Sequence, residues 1–165
     1  MSIISTIINF ILNRKKPVEV LPKLKKELIA WATVIQELAQ IGLECQLKPS
    51  YSYPDMKVHT TNLEGWNLMV PYLTYSGELY VSEDADCEDY ARWASSDASK
   101  LFQLGSCLQC WGHVSNSQAN GSHAWNLVRV DVGEWMTFDA NAGFDCSGSL
   151  FKIGENGYIP GSWKI

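Results

Sequence analysis

A chain of 165 residues with 46% hydrophobic and 19% charged side chains has the makeup of one compact domain, long enough to bury a core without staples. Its formal net charge of −5 argues against a nucleic-acid partner, because phosphate binding needs a basic surface, and suits a basic peptide better. Five cysteines, at positions 45, 87, 107, 110 and 146, form an odd count without a secreted disulfide spacing, which points to a reducing, cytoplasmic setting and a free thiol.

Residues 2–12 (SIISTIINFIL) are apolar, and Arg14, Lys15 and Lys16 follow them. A secretory signal has the opposite order, and a bilayer span takes about 20 residues, so neither reading fits. Ile3, Ile4, Ile7, Ile8 and Ile11 recur at helical spacing, which predicts an amphipathic helix over 2–13. That helix packs on the domain or a partner, or lies on a membrane surface. After a break around Pro17, Leu24, Leu28, Trp31, Ile35, Leu38 and Ile41 mark one face of a second helix, with Pro22 in its first turn and Gly42 at its end. Residues 1–50 therefore read as an N-terminal helical extension and 51–165 as the core, the two forming one compact unit. The extension could cover a substrate groove. Residues 45–65 are polar and turn-rich, with His59 in a loop at the surface. The segments 66–73 and 78–82 show no clear periodicity.

Ser82 is the expected N-cap of a third helix, with Glu83, Asp84 and Asp86 in its first turn, where the helix dipole favours acid. Its stripe is 87, 90, 91, 94, 98, 101 and 102, and it should run to about Leu104, where Gly105 stops it. Three β-like runs follow at 107–114, 123–131 and 134–139, with Asp131-Val132-Gly133-Glu134 as a hairpin turn between the last two. One helix followed by an antiparallel sheet is an α+β arrangement.

A thiol attacks carbonyls as the thiolate, which a helix N-terminus and a neighbouring His both favour. Cys87 lies near the start of the third helix, in the run Asp86-Cys87-Glu88-Asp89-Tyr90-Ala91, with three carboxylates around it. Alone it reads as a structural thiol. In His123-Ala124-Trp125-Asn126-Leu127-Val128-Arg129-Val130, alternation puts His123, Trp125, Leu127 and Arg129 on one face. Across the hairpin, Asp139 shares a face with Thr137 and Trp135 and falls a few residues from His123, where a carboxylate can orient an imidazole. Cys107-Leu108-Gln109-Cys110 with His113 has a zinc-like spacing. On a strand, however, residues three apart point to opposite faces, so the pair reads as core cysteines and no metal is expected. Trp111, Trp125 and Trp135 read as mainly core, with Trp125 able to shade His123. Asn120-Gly121-Ser122 is formally a glycosylation sequon, which has no meaning in a cytosol.

The order Asp86-Cys87-Glu88-Asp89-Tyr90-Ala91, a helix ending at Gly105, a strand, His123-Ala124-Trp125, and Trp135 leading to Asp139 resembles the transglutaminase-like superfamily. The Cys run is most similar to its bacterial transglutaminase-like cysteine proteinases. The resemblance covers roughly residues 80–143. It departs at Ala140-Asn141, where Pro usually follows the Asp, and at Ala85, where Gly is common before the Cys motif.

The resemblance implies a papain/transglutaminase-like core, with Cys87 as nucleophile, His123 as base and Asp139 as the orienting acid. It also implies a cysteine protease or related hydrolase that works by acyl transfer on peptide or side-chain amides through a thioester, without a cofactor. Hydrolysis is favoured over cross-linking, because nothing visible recognises a second, amine substrate. The partner is then a protein or peptide. The oxyanion hole would use the Cys87 N–H plus one further donor, for which Trp66, Tyr75 and Tyr80 are candidates. The alternative is a retired member of the fold, a binding or scaffold module that docks through its N-terminal helix.

Overall fold

The structure is a computed structural model that describes residues 20–46 and 56–164. The helix expected over 2–13, and its contact with a partner or membrane, lie outside the described residues. The chain enters as strand β1 (Lys26–Ala30), turns directly into helix α1 (Trp31–Gln40) and reaches the short strand β2 (Glu44–Cys45). The helix expected from Leu24 to Ile41 is therefore half strand. Lys26–Ala30 pairs antiparallel with β3 (Lys57–Thr61), Leu28 opposite His59, and Leu28 is exposed rather than part of a buried stripe. Only Trp31, Val34 and Leu38 carry the helical spacing into the core. Gly42 follows the helix with φ +80°, the left-handed conformation expected of a stop.

The stretch expected to be turn-rich holds β3, with His59 exposed on a strand rather than a loop, and then helix α2 (Leu63–Met69). Asn62 caps α2, its Oδ1 accepting from the Gly65 N–H at 3.0 Å. Helix α3 (Cys87–Phe102) precedes β4 (Cys107–Ser115), β5 (Asn120–Asp131), β6 (Glu134–Phe138), β7 (Phe151–Lys152) and β8 (Tyr158–Lys164). Among the described residues these strands and β2 form a six-stranded sheet in the order β2-β8-β4-β5-β6-β7. Every neighbouring pair is antiparallel except β2 and β8. The three expected β runs and the hairpin turn are all present, although β5 starts at Asn120 rather than at His123.

Helices cover both faces of this sheet. Tyr90, Ala94, Ala98 and Phe102 of α3 share a core with Cys107, Val128 and Phe138. On the other face α1 packs against Leu108, Cys110, Trp125 and Leu127. Cys107 and Cys110 therefore point to opposite faces, as the strand period requires. Trp125 and Trp135 are buried as expected, whereas Trp111 is only half-buried and carries Lys164 Nζ 4.1 Å above its ring. No helix of the described residues is long and apolar enough to cross a membrane.

Among the described residues, α1 is tied to the β5–β6 hairpin by one buried carboxylate. Within α1, Glu37 is buried and accepts from Arg129 Nε at 2.8 Å and Nη2 at 2.9 Å, from the Gly133 N–H at 3.0 Å and from Trp135 Nε1 at 3.0 Å. Burial alone would raise the Glu37 pKa, but these donors hold it below the ordinary carboxylate value. Its stabilisation is thus present at neutral pH and is lost as pH falls through the depressed folded pKa. Removing the carboxylate leaves the buried Arg129 guanidinium with only a 4.0 Å contact to the exposed Glu27. Glu37→Ala is expected to lower the unfolding free energy by about 3–5 kcal/mol in urea titrations, and a loss under about 1 kcal/mol would show that Arg129 finds another partner.

Candidate active site

The nucleophile candidate is set by a turn that the sequence reading placed differently. Val81 and Ala85 form a bridge, with the Val81 N–H donating to Ala85 O at 3.0 Å and the Ala85 N–H to Val81 O at 2.8 Å. Between them Glu83 takes a left-handed φ of 68°. Ser82 therefore lies in a tight turn, and Asp86 is the N-cap of α3. Asp86 Oδ1 accepts from the Glu88 N–H at 3.3 Å, and Asp89 Oδ2 accepts from the Asp86 N–H at 3.3 Å. Asp89 also pairs with Arg92. Two of the three carboxylates around Cys87 are thus occupied by backbone amides or a guanidinium, and Glu88 is exposed to solvent. At its other end α3 stops at Phe102, with Gln103 left-handed at φ 54°, two residues before Gly105.

The β5–β6 register pairs Asn126 with Phe138 and Leu127 with Thr137. Continued by one step it sets Asp139 beside Trp125, two residues from His123 on the same face. His123 Nε2 donates to Asp139 Oδ2 at 2.6 Å, and both side chains are buried. Asp139 Oδ2 also accepts from the Tyr158 hydroxyl at 2.8 Å, and its Oδ1 accepts from the Asn141 N–H at 2.8 Å. The departure at Ala140-Asn141 leaves the carboxylate held, since the donor is the Asn141 backbone N–H. Burial opposes a charge on His123, but the hydrogen bonds to Asp139 and Cys87 and the charges of both outweigh it. The imidazole pKa is raised to about 9. With Nε2 committed to Asp139, Nδ1 is the ring nitrogen left for the thiol.

Cys87 and His123 line a cleft of about 410 Å³. One wall is Gly77 and Tyr80, and the other runs through Val114, Ala119 and Asn120 to Ser122. Asn141, Gly143 and Phe144 complete it, with the Phe144 ring 4.9 Å from that of His123. Strand-like pairing holds the Gly77 wall in place. The Tyr75 N–H donates to Ala140 O at 2.8 Å and the Ala142 N–H to Tyr75 O at 2.9 Å. A Cβ on Gly77 would come within 2.9 Å of the Gly143 backbone, so the two loops meet only through glycine. None of the described residues before 77 lines this cleft, so residues 20–46 do not cover it.

The oxyanion candidates separate. Trp66 is fully buried and donates through Nε1 to Arg129 O at 2.7 Å, so it cannot serve as a donor here. The Tyr75 hydroxyl donates to Asp97 Oδ2 at 2.9 Å, under the sheet beside α3, and is likewise removed. Tyr80 lines the cleft, and burial together with the charges of Cys87, Asp86 and Glu83 raises its pKa, keeping it a hydrogen-bond donor. Trp125 is buried with its ring 5.9 Å from His123, shielding one side of the imidazole. Burial raises the thiol pKa of Cys107 and Cys110 to about 12. Among the described residues no three His, Cys, Asp or Glu side chains gather as a metal site would require.

Sequence reading missed Tyr158, Phe144 and the Gly77–Gly143 contact. Only Gly143, just after the expected Asp, hinted at a turn there. Tyr158 carries no local signal, because β8 brings it to Asp139 from the far side of β4. An NMR titration of His123 should show a midpoint near 9, and Asp139→Asn should move it down toward about 6.5. The stability this charge contributes is full below about 6.5 and is lost as pH rises through the folded value. A midpoint near 6.5 in the unsubstituted protein would mean that Asp139 does not hold the imidazolium.

No family model and no curated protein matches this sequence. Among solved structures the chain is similar to one described as the PSL1a–E64 complex, at 16% identity and a TM-score of 0.53. The match covers 84% of this chain but 51% of that one, so this chain spans about half the length of its structural neighbour. The likeness is one of fold: an α+β chain with helices packed on a sheet.

Proposed function

We propose that this chain is a cysteine-dependent acyl-transfer enzyme with a transglutaminase-like core, hydrolysing peptide or side-chain amides through a thioester. The observation that carries the reading is the linked set Cys87–His123–Asp139 at an open cleft, with the imidazole pKa raised to about 9. At neutral pH His123 then holds a proton beside the thiol, the setting in which a thiolate forms.

The sulfur adds to the amide carbonyl carbon, and the negative charge moves to the oxygen. The Cys87 N–H, at the first position of α3, has no acceptor within the helix, and with the Tyr80 hydroxyl of the cleft wall it is the donor pair assigned to this oxyanion. Collapse breaks the C–N bond, the amine leaves with the proton from His123, and a thioester remains on Cys87. Water then adds to the thioester carbonyl while His123 takes its proton; the C–S bond breaks, Cys87 leaves as thiolate beside the protonated His123, and the carboxylic acid is released. The cleft offers no separate acidic subsite for an incoming amine among its lining residues, which favours water as the acceptor. A protein or peptide in a cytoplasmic setting is the substrate that this chemistry and the cysteine usage suit.

The first test is the alkylation of Cys87 by iodoacetamide against pH, with the labelled site assigned by mass spectrometry. A thiol near its ordinary pKa of about 8.5 reacts slowly at pH 6. Selective labelling of Cys87 at pH 6, lost in His123→Ala, is the expected result. Cys107 and Cys110 should stay unlabelled until the protein unfolds, since both are buried. For turnover, protonated His123 is needed at the leaving amine, so kcat/KM should fall on the alkaline side with an apparent pKa of about 9. Ordinary, His123-independent labelling would replace the enzyme with the retired binding module.

A further inference from the structure

Among the described residues, three donors meet on Asp139, and two of them share one oxygen. Oδ1 accepts from the Asn141 N–H at 2.8 Å, whereas Oδ2 accepts from His123 Nε2 at 2.6 Å and from the Tyr158 hydroxyl at 2.8 Å. One donor on each oxygen, Asn141 and His123, already fixes how the carboxylate is turned. A second donor on the oxygen that faces the imidazole acts differently. It draws on the same negative charge that holds the His123 proton.

Tyr158 is held in turn from behind. It is fully buried, lines no part of the cleft, and its oxygen lies 3.6 Å from Cys146 Sγ. A phenol has one proton, and Tyr158 gives it to a carboxylate, which can only accept. The Cys146 thiol is therefore the donor to the Tyr158 oxygen. Burial, with the charges of Asp139 and Asp145, raises the Cys146 pKa, so the S–H is kept at neutral pH. Burial and the charge of Asp139 raise that of Tyr158 as well. The protons thus run one way, from Cys146 to Tyr158 to Asp139, and meet the His123 proton at Oδ2.

We propose that Tyr158, backed by Cys146, is a positioning residue that moderates the hold of Asp139 on His123: its hydroxyl takes up part of the charge on Oδ2, so that the imidazolium stays able to give up its proton. In the reaction His123 has to hold a proton beside Cys87 and then surrender it to the leaving amine. An undivided carboxylate would favour the first at the expense of the second. The effect on turnover rests on the catalytic reading above, whereas the effect on the imidazole does not.

The test is an NMR titration of His123 in Tyr158→Phe, Cys146→Ala and Cys146→Ser. The charges that bear on His123 are those of Asp139 and Cys87, and all three variants keep both. Tyr158→Phe deletes one oxygen and should raise the midpoint from about 9 toward about 10, the scale of one charge-assisted hydrogen bond. The alkaline limb of kcat/KM should move with it. Cys146 is half-buried on the wall of a separate polar hollow with Asn116, Gln118 and Ser149. Cys146→Ala should therefore fold and raise the midpoint by a smaller amount, and Cys146→Ser, which keeps a donor, should restore it. A residue that only braced Asp139 would give the opposite sign, since a loosened carboxylate lets the midpoint fall toward about 6.5. A midpoint that falls or stays in place in Tyr158→Phe overturns the proposal; if that variant does not fold, an unmoved midpoint in Cys146→Ala does so. The catalytic reading fails separately, through ordinary labelling of Cys87 at pH 6 in the unsubstituted protein, and the shift of the His123 midpoint still decides whether Tyr158 moderates Asp139.

Discussion

Strand β6 meets β5 in the register that sets Arg129 opposite Trp135 and Leu127 opposite Thr137, and the site exists only in that register. Side chains alternate along a strand, so a slip of one residue would turn Asp139 to the α3 face and leave His123 without its carboxylate. What resists the slip sits at the far end of the hairpin. Glu37 gathers donors from β5, from the turn and from β6 on one carboxylate. Gly133, with φ +69°, lets the turn close between them. The buried carboxylate that fixes the hairpin and the buried carboxylate that holds His123 are thus at two ends of one ladder.

The second constraint is electrostatic. A thiol surrounded by Asp86, Glu88 and Asp89 would be a poor place to form a thiolate if all three charges faced it. The capping box turns two of them toward backbone amides of the helix end, and Arg92 draws on Asp89 as well. The run that made Cys87 look hindered is the device that starts its helix. The cleft in front of it is walled by loops that meet at Gly77 and Gly143, both following from the path of the chain just beyond Asp139.

Local patterns in the sequence reached a long way. The alternation from His123 to Arg129, the Asp131–Glu134 turn and the stripe of α3 were legible because each depends on residues near one another. The opposed faces of Cys107 and Cys110 followed from strand period alone. What failed involved partners distant in the chain. Lys26–Ala30 has helical spacing but becomes a strand because β3 offers an edge to pair with, and β3 lay in a stretch with no pattern of its own. Ser82 looked like a cap because the left-handed turn at Glu83 has no glycine to announce it. Trp66 and Tyr75 were reasonable donors by position, but their polar atoms are claimed by Arg129 and Asp97. Tyr158 was invisible for the same reason, since its role is set entirely by sheet order.

That order has a consequence for how the protein comes into being. β8 follows every other strand of this sheet among the described residues, yet it is inserted between β2 and β4 rather than added at the margin. Until it arrives, β4 lacks a neighbour on one side and Asp139 lacks the Tyr158 hydroxyl. Pairings between segments so far apart form late, after the loop entropy between them has been overcome. The contacts among α3, β4, β5 and β6 that hold Cys87 and His123 are closer in the chain than the β4–β8 pairing that supplies the brace behind them. Cys87 and His123 are thus brought together by contacts close in the chain, and the Tyr158 hydroxyl that braces Asp139 is set last.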